Sequence, residues 1–142
     1  MNILFMCVAN SARSQLAEGI ATAMFGNKAA FYSAGSKPSK INPLAIKVLK
    51  EISVDISGHT SKSVEDIPQK NFDYVITLCA EEVCPIFLGK TIKLHWPFQD
   101  PAGEFDPELA EIKFRRTRDL IKEKLELEIP KLLSPKSITA NS

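Results

Sequence analysis

The chain is poor in the features that mark disulfide scaffolds, membrane proteins and nucleic-acid binders. It has 3 cysteines in 142 residues, an odd number and too few to staple a fold. The formal net charge is +1, so no large field of one sign points to nucleic acid or to an anionic membrane surface, and attraction for anions must be local. There is no transmembrane run. The apolar start, Met1 to Val8, is too short for a signal-peptide core, has no basic lead and is followed by Asn10 and Arg13. These absences point to the cytoplasm, where thiols stay reduced and cysteines are catalytic or redox-active more often than structural. The length suits one domain with a sizeable core, and nothing demands more than a monomer.

Against that background the apolar pattern is strong. Asn2 to Val8 is nearly all apolar, as a central strand buried on both faces would be. A polar loop, Ala9 to Ala12, leads into a helical pattern from Arg13 to Phe25. Its stripe is Leu16, Ile20 and Met24, and Gly26 is expected at C′. Phe31 to Ala34 reads as a second strand. Asn42 and Pro43 form an N-cap and N1 pair for a helix carrying Leu44, Val48, Leu49 and Ile52. Phe72 to Leu78 is a third strand with Cys79 at its carboxyl end, and Thr91 to Trp96 is a fourth, closed by Pro97. Asp106-Pro107 opens a long helix with the stripe Ala110, Phe114, Ile121 and Leu125, running to about Leu133. Strands alternating with helices give an α/β fold: a four-stranded parallel sheet with helices on both faces. The domain is expected over residues 1–133, with 134–142 a polar, frayed tail. Such folds bind ligands at the carboxyl ends of strands, where Cys7, Cys79 and the loop after Trp96 all fall.

Cys7 is followed by Val8, Ala9, Asn10, Ser11 and Ala12, and then by Arg13 and Ser14. Five residues between strand and helix are enough to curl around one tetrahedral anion with their amides pointing inward. The helix N-terminus adds free N–H groups and partial positive charge. Arg13 can fork onto two oxygens of the anion. Cys7 sits on the axis of this bowl, in a field that favours the thiolate. Asn10 fits the left-handed backbone that a tight bowl demands. The bland alternative, a buried strand-end cysteine and a surface arginine, would win for this spacing in any other context.

The run Cys7-Val8-Ala9-Asn10-Ser11-Ala12-Arg13-Ser14-Gln15 resembles the signature of low-molecular-weight tyrosine phosphatases and of their relatives, the thioredoxin-coupled arsenate reductases. The resemblance continues through Leu16-Ala17-Glu18-Gly19, Tyr32-Ser33-Ala34-Gly35, Asn42-Pro43, His59-Thr60-Ser61 and Asp100-Pro101-Ala102-Gly103. Ala9 stands where the family usually has glycine, so it must hold a negative φ. Ala12 replaces a frequent cysteine. Cys79 resembles the second cysteine of the reductases, and Cys84, before Pro85, resembles the third.

The resemblance implies a relay in which Cys7 attacks arsenate with Asp100 as acid, and Cys79 then forms a disulfide with Cys7. Cys84 moves the disulfide to Cys79–Cys84, and a thioredoxin or glutaredoxin-type dithiol protein reduces it, with no tightly bound cofactor. Phosphate and sulfate are expected to compete for the bowl. Two other readings stay open: a phosphatase working through a Cys7 phosphoenzyme, and an oxyanion-binding thiol sensor. Ala102 and Gly103 after Asp100-Pro101, where the phosphatases carry aromatic residues, favour a bare oxyanion. In a straight helix the Cα atoms of Cys79 and Cys84 would lie about 8–9 Å apart. A disulfide needs less than about 7 Å. Their segment is therefore expected to be loop-like or to unwind on oxidation, and to be mobile.

Glu18, Ser33 and Asn10 resemble positions that hold a potassium ion in some of these reductases. Lys62 stands where those enzymes have Asp, and its ammonium is expected to replace the ion and pair with Glu18. The histidines, His59 and His95, do not have zinc-ligand spacing with the cysteines. His95 reads as a packed strand residue, and Arg115, Arg116 and Arg118 as a solvated helix face.

Overall fold

A computed structural model describes residues 1–69, 71–80 and 84–134, and among them are four short strands and three α-helices. Strand β1 (Asn2–Cys7) lies inside the sheet between β2 (Ala30–Gly35) and β3 (Tyr74–Cys79), and β4 (Ile92–Phe98) pairs with β3 at one edge. All three pairings are parallel. A strand with neighbours on both sides and cover on both faces must be apolar throughout, and Ile3, Leu4 and Phe5 are fully buried.

Strand alternation divides the core in two. Ile3 and Phe5 enter the larger cluster, which takes in the apolar faces of α1 (Arg13–Phe25), α2 (Pro43–Lys50) and α3 (Pro107–Leu133). Leu4 and Met6 enter a smaller cluster with Ile67, Phe72 and Val75. Helices were expected on both faces. Among the described residues the three α-helices all join the larger cluster, and what packs against the smaller one is irregular chain with a 3₁₀ turn at Val64–Asp66.

Several element ends differ from the sequence expectation. In α1 the buried face is Leu16, Ala17, Ile20 and Ala21, while Met24 is 38% exposed because the last turn faces solvent. Gly26 closes α1 in a right-handed conformation, φ −61° and ψ −17°, with its N–H still bonded to Thr22 O, so it is not a left-handed C′ residue. Helix α2 ends at Lys50, before Ile52, and its cap is Asn42 Oδ1 accepting from Leu44 N at 2.9 Å; such a cap contributes ~1 kcal/mol. Strand β4 continues through Pro97 to Phe98. An edge strand tolerates the missing N–H, and the ladder shifts register between Thr77 and Cys79. Helix α3 starts on Asp106, whose Oδ1 accepts from Glu108 N and Leu109 N.

The arginine cluster of α3 is not simply solvated. Arg115 makes a bidentate pair with Glu51 after α2, and Arg118 bonds both Glu51 and the Val48 carbonyl. Residues 135–142 of the expected tail lie outside the described residues.

Candidate active site

The loop between β1 and α1 forms the bowl. The carbonyls of Val8, Ala9 and Ser11 accept from Lys37 N (2.9 Å), Ser39 N (3.2 Å) and Asn42 N (3.0 Å), all outside the loop. Ser61 Oγ adds a second donor to Ala9 O at 2.8 Å. Carbonyls held outward leave the loop's amides for the concave side. Ala12, the N-cap of α1, has no side-chain cap, so no side chain competes for the first amides of the helix. Asn10 has φ 50° and is fully buried. Ala9 is absent from the left-handed residues, so alanine fits there.

A cavity of about 80 Å³ opens on this loop, lined by Cys7, Ala9, Ser11, Ala12, Arg13, Asp100 and Ala102. Val8, Asn10 and Ser14, expected to line it, do not. Arg13 is only 4% exposed; one nitrogen donates to Phe98 O at 2.9 Å, and another lies 3.8 Å from the Asp100 carboxylate. The guanidinium therefore spans from the bowl to the loop after β4. Asp100 is 45% exposed and accepts from Ala102 N at 3.0 Å, a turn that holds the carboxylate beside the opening. Neither tyrosine lines this cavity; Tyr32 packs edge-on against Phe72, and Tyr74 is in the core.

Behind the bowl the hydrogen bonds run in one direction. Gln15 Nε2 donates to Asn10 Oδ1 at 3.0 Å, and Asn10 Nδ2 donates to Ser14 Oγ at 2.8 Å. Since Ser14 Oγ accepts from Asn10, its own proton is left for Cys7 Sγ, 2.8 Å away. The chain of donors thus ends on the Cys7 sulfur. Asn10 Oδ1 also accepts from Lys62 N at 3.0 Å.

A second layer supports the first. Ser33 Oγ donates to Glu18 Oε1 at 2.6 Å, and Lys62 Nζ stands 3.7 Å from the same oxygen. His59 Nδ1 lies 3.1 Å from Gln15 Oε1 and 3.3 Å from Glu18 Oε2, two acceptors that assign the ring proton to Nδ1. Gln15, His59, Thr60 and Ser61 had no role in the sequence reading, although they stand in its quoted motifs. Gly35 was missed as well. It is paired with Cys7, and a Cβ there would meet Val8 O at 2.4 Å and Asn10 N at 2.8 Å, so a side chain would displace the bowl's own backbone.

Cys79 and Cys84 are joined in a disulfide with Cα atoms 5.6 Å apart, while Cys7 is a free, buried thiol. Met6 pairs with Thr77, so Cys7 is level with Leu78 and one step short of Cys79 on the neighbouring strand. That offset puts their backbones ~6 Å apart. The half-buried Cys84 lines a different cavity, with Val75, Thr77 and His95, which shares no lining residue with the bowl. Cys84 itself is not helical, in keeping with the short Cα separation. The expected mobility of the intervening segment concerns residues 81–83, which lie outside the described residues.

Comparison with known proteins gives a consistent picture. Residues 2–138 match the family described as low molecular weight phosphotyrosine protein phosphatase. The chain is 44% identical over 122 residues to arsenate reductase 1 of Staphylococcus saprophyticus, covering 84% of this chain and 89% of that protein. It resembles the structure of an arsenate reductase in the phosphate binding state, with TM-score 0.72, 34% identity and coverage of 92% and 97% of the two chains. It also resembles a thioredoxin-dependent arsenate reductase of Corynebacterium glutamicum, with TM-score 0.58 and 35% identity over 88% of this chain and 62% of that one.

Proposed function

The chain belongs to the low molecular weight phosphotyrosine protein phosphatase family, and on that premise we propose that it reduces arsenate to arsenite through Cys7, Cys79 and Cys84. The observation that carries this reading is the Cys79–Cys84 disulfide beside a free Cys7 in an oxyanion bowl. A hydrolase needs one thiol. A reductase must accept two electrons' worth of oxidation on sulfur and then move it away from the bowl.

The Cys7 thiolate attacks arsenic, and Asp100 protonates the oxygen that leaves as water. Arg13 and the loop amides hold the remaining oxygens as charge builds on them. Cys79 then attacks Cys7 Sγ. The sulfur–arsenic electron pair stays on arsenic, which departs as arsenite, and a Cys7–Cys79 disulfide remains. Cys84 attacks Cys79, and Cys7 is released as a thiolate to the donors that end on it. The resulting Cys79–Cys84 bond is returned to thiols by an external dithiol protein of thioredoxin or glutaredoxin type. Such a cycle needs reduced thiols, so we place the protein in the cytoplasm, acting as a monomer, with phosphate and sulfate as competing anions. No helix among the described residues is long and apolar enough to cross a membrane.

Cysteine variants test the scheme. Cys84→Ser should release one arsenite per enzyme and stop with Cys7 and Cys79 joined. Cys79→Ser should release none, yet keep slow hydrolysis of a small aryl phosphate, because the bowl is intact. Wild type that hydrolyses the aryl phosphate but does not reduce arsenate would leave the phosphatase reading, with a Cys7 phosphoenzyme, in its place, and undiminished arsenate turnover in Cys79→Ser would remove Cys79 from the relay. A protein that turns over neither substrate would be an oxyanion-binding thiol sensor.

Lys62, 3.7 Å from Glu18, supplies a fixed cation behind the bowl. Potassium and sodium buffers should therefore give equal activity, and a strong rise with potassium alone would reject this role.

A further inference from the structure

The third sulfur of the relay has its own electrostatic setting, distinct from the bowl of Cys7. A cavity of about 270 Å³ lies against β3 and β4, and among its lining groups are Cys84, Thr77, Lys93 and His95. Lys93 and His95 come from alternate positions of β4 and so share one side of that strand. His95 was expected to be a packed strand residue. It is exposed instead, and its ring is held by Thr77, with Oγ1 2.8 Å from Nδ1. The Thr77 hydroxyl also faces Leu94 O at 3.4 Å. A hydroxyl that donates to the carbonyl accepts from Nδ1–H, which leaves Nε2 of His95 as a base. Lys93 and His95 have no carboxylate partner among the described residues, so nothing described neutralises this wall.

We propose that Lys93 and His95 stabilise Cys84 as a thiolate, and that Thr77 is the positioning residue for the His95 ring. The inference rests on the three-cysteine reading and adds to it the groups that activate the last nucleophile. In the third step the Cys84 thiol gives its proton to His95 Nε2, and the thiolate attacks Cys79 Sγ. The Cys79–Cys84 bond forms, the Cys7–Cys79 bond breaks, and Cys7 takes the electron pair as a thiolate. No electrons enter or leave; the oxidation moves from one pair of sulfurs to the next, and the proton on His95 passes to solvent. On the return, the external dithiol meets Cys84 before Cys79, since Cys79 is 1% exposed and Cys84 half-buried. The Lys93 ammonium then favours approach of the donor's thiolate. Two kinds of side chain near one sulfur thereby serve both directions of exchange.

The test is residue-resolved alkylation of the reduced protein by iodoacetamide across a pH series, read by mass spectrometry at each cysteine. In His95→Gln the Cys84 rate near neutral pH should fall roughly 3–10-fold, in line with loss of a cation beside a thiolate, while the Cys7 rate stays unchanged. Lys93→Met should give a smaller fall. Thr77→Val should give part of the His95→Gln effect, and Thr77→Ser should restore it. In dithiothreitol redox buffers His95→Gln should hold the Cys79–Cys84 disulfide more tightly; a tenfold change corresponds to ~30 mV. Cys84 rates that match wild type in His95→Gln and Lys93→Met overturn the proposal, since both residues are exposed and their replacement leaves the core intact. If the Cys84 shift appears but wild type does not reduce arsenate, the relay reading fails and the cationic setting of Cys84 stands.

Discussion

Asn10 concentrates several demands on one residue. It is fully buried at φ 50°, its Nδ2 donates to Ser14, and its Oδ1 accepts from Gln15 and from Lys62 N. Asparagine is among the few residues that combine the left-handed backbone with a donor and an acceptor on a short side chain. Asn10→Ala removes three hydrogen bonds and strains the backbone, although Ser14 Oγ keeps Cys7 and Gln15 Nε2 keeps Thr60 O, and should cost about 2–4 kcal/mol. Asn10→Gly removes the strain but not the lost bonds, so it should recover about 1 kcal/mol of that. Both should slow arsenate turnover, because Ser14 no longer has a fixed direction toward Cys7. Urea unfolding measures the first effect and steady-state rates the second; equal stability of the alanine and glycine variants would show that the left-handed backbone carries no strain. The signature around Cys7 made Asn10 legible in the sequence. Gln15 and His59 were not, because their role is a contact between residues 44 positions apart.

At the scale of elements, α2 and α3 are joined by charge as well as by apolar packing. Arg115 bonds Glu51 through two nitrogens, Arg118 adds a third contact, and Lys47 pairs with Glu111. The guanidinium of Arg115, with help from Arg118, holds the Glu51 carboxyl at about 2, down from 4.5. A carboxyl whose folded value is depressed stabilises the fold above its unfolded value and loses that contribution as pH falls. Glu51→Gln should therefore lower Tm near pH 6, with the deficit shrinking between pH 4.5 and pH 2. The ions face solvent, so high salt should shrink the deficit too. A deficit that is constant with pH would assign the loss to packing. The sequence offered Arg115 and Arg118 only as a solvated face, since no helical spacing reports that Glu51 lies across from them.

For the molecule as a whole, the bowl couples ligand to stability. Any anion that binds only the folded chain stabilises it by mass action, about 2.7 kcal/mol at one hundred times its Kd. Phosphate, the same shape as arsenate, should raise Tm by on the order of 10 °C at such a concentration. Arg13→Ala should abolish most of that rise. A phosphate response of full size in Arg13→Ala would mean that the anion binds elsewhere. The two ends of the relay line separate cavities, Cys7 the bowl and Cys84 the cavity against β3 and β4.

The sequence alone determined the order of strands and helices, the parallel sheet, the strand–loop–helix bowl and its thiol and guanidinium. These rest on local rules: apolar periodicity, cap residues and one anion's worth of loop between strand and helix. Only the tertiary structure decided how Cys7 is supplied with a proton donor, why Gly35 admits no side chain, and what surrounds Cys84. It also decided where the second face obtains its cover and how far β4 runs past Trp96. Each of these depends on distances between segments far apart in the chain, and such distances are set by packing, which leaves no period in the sequence.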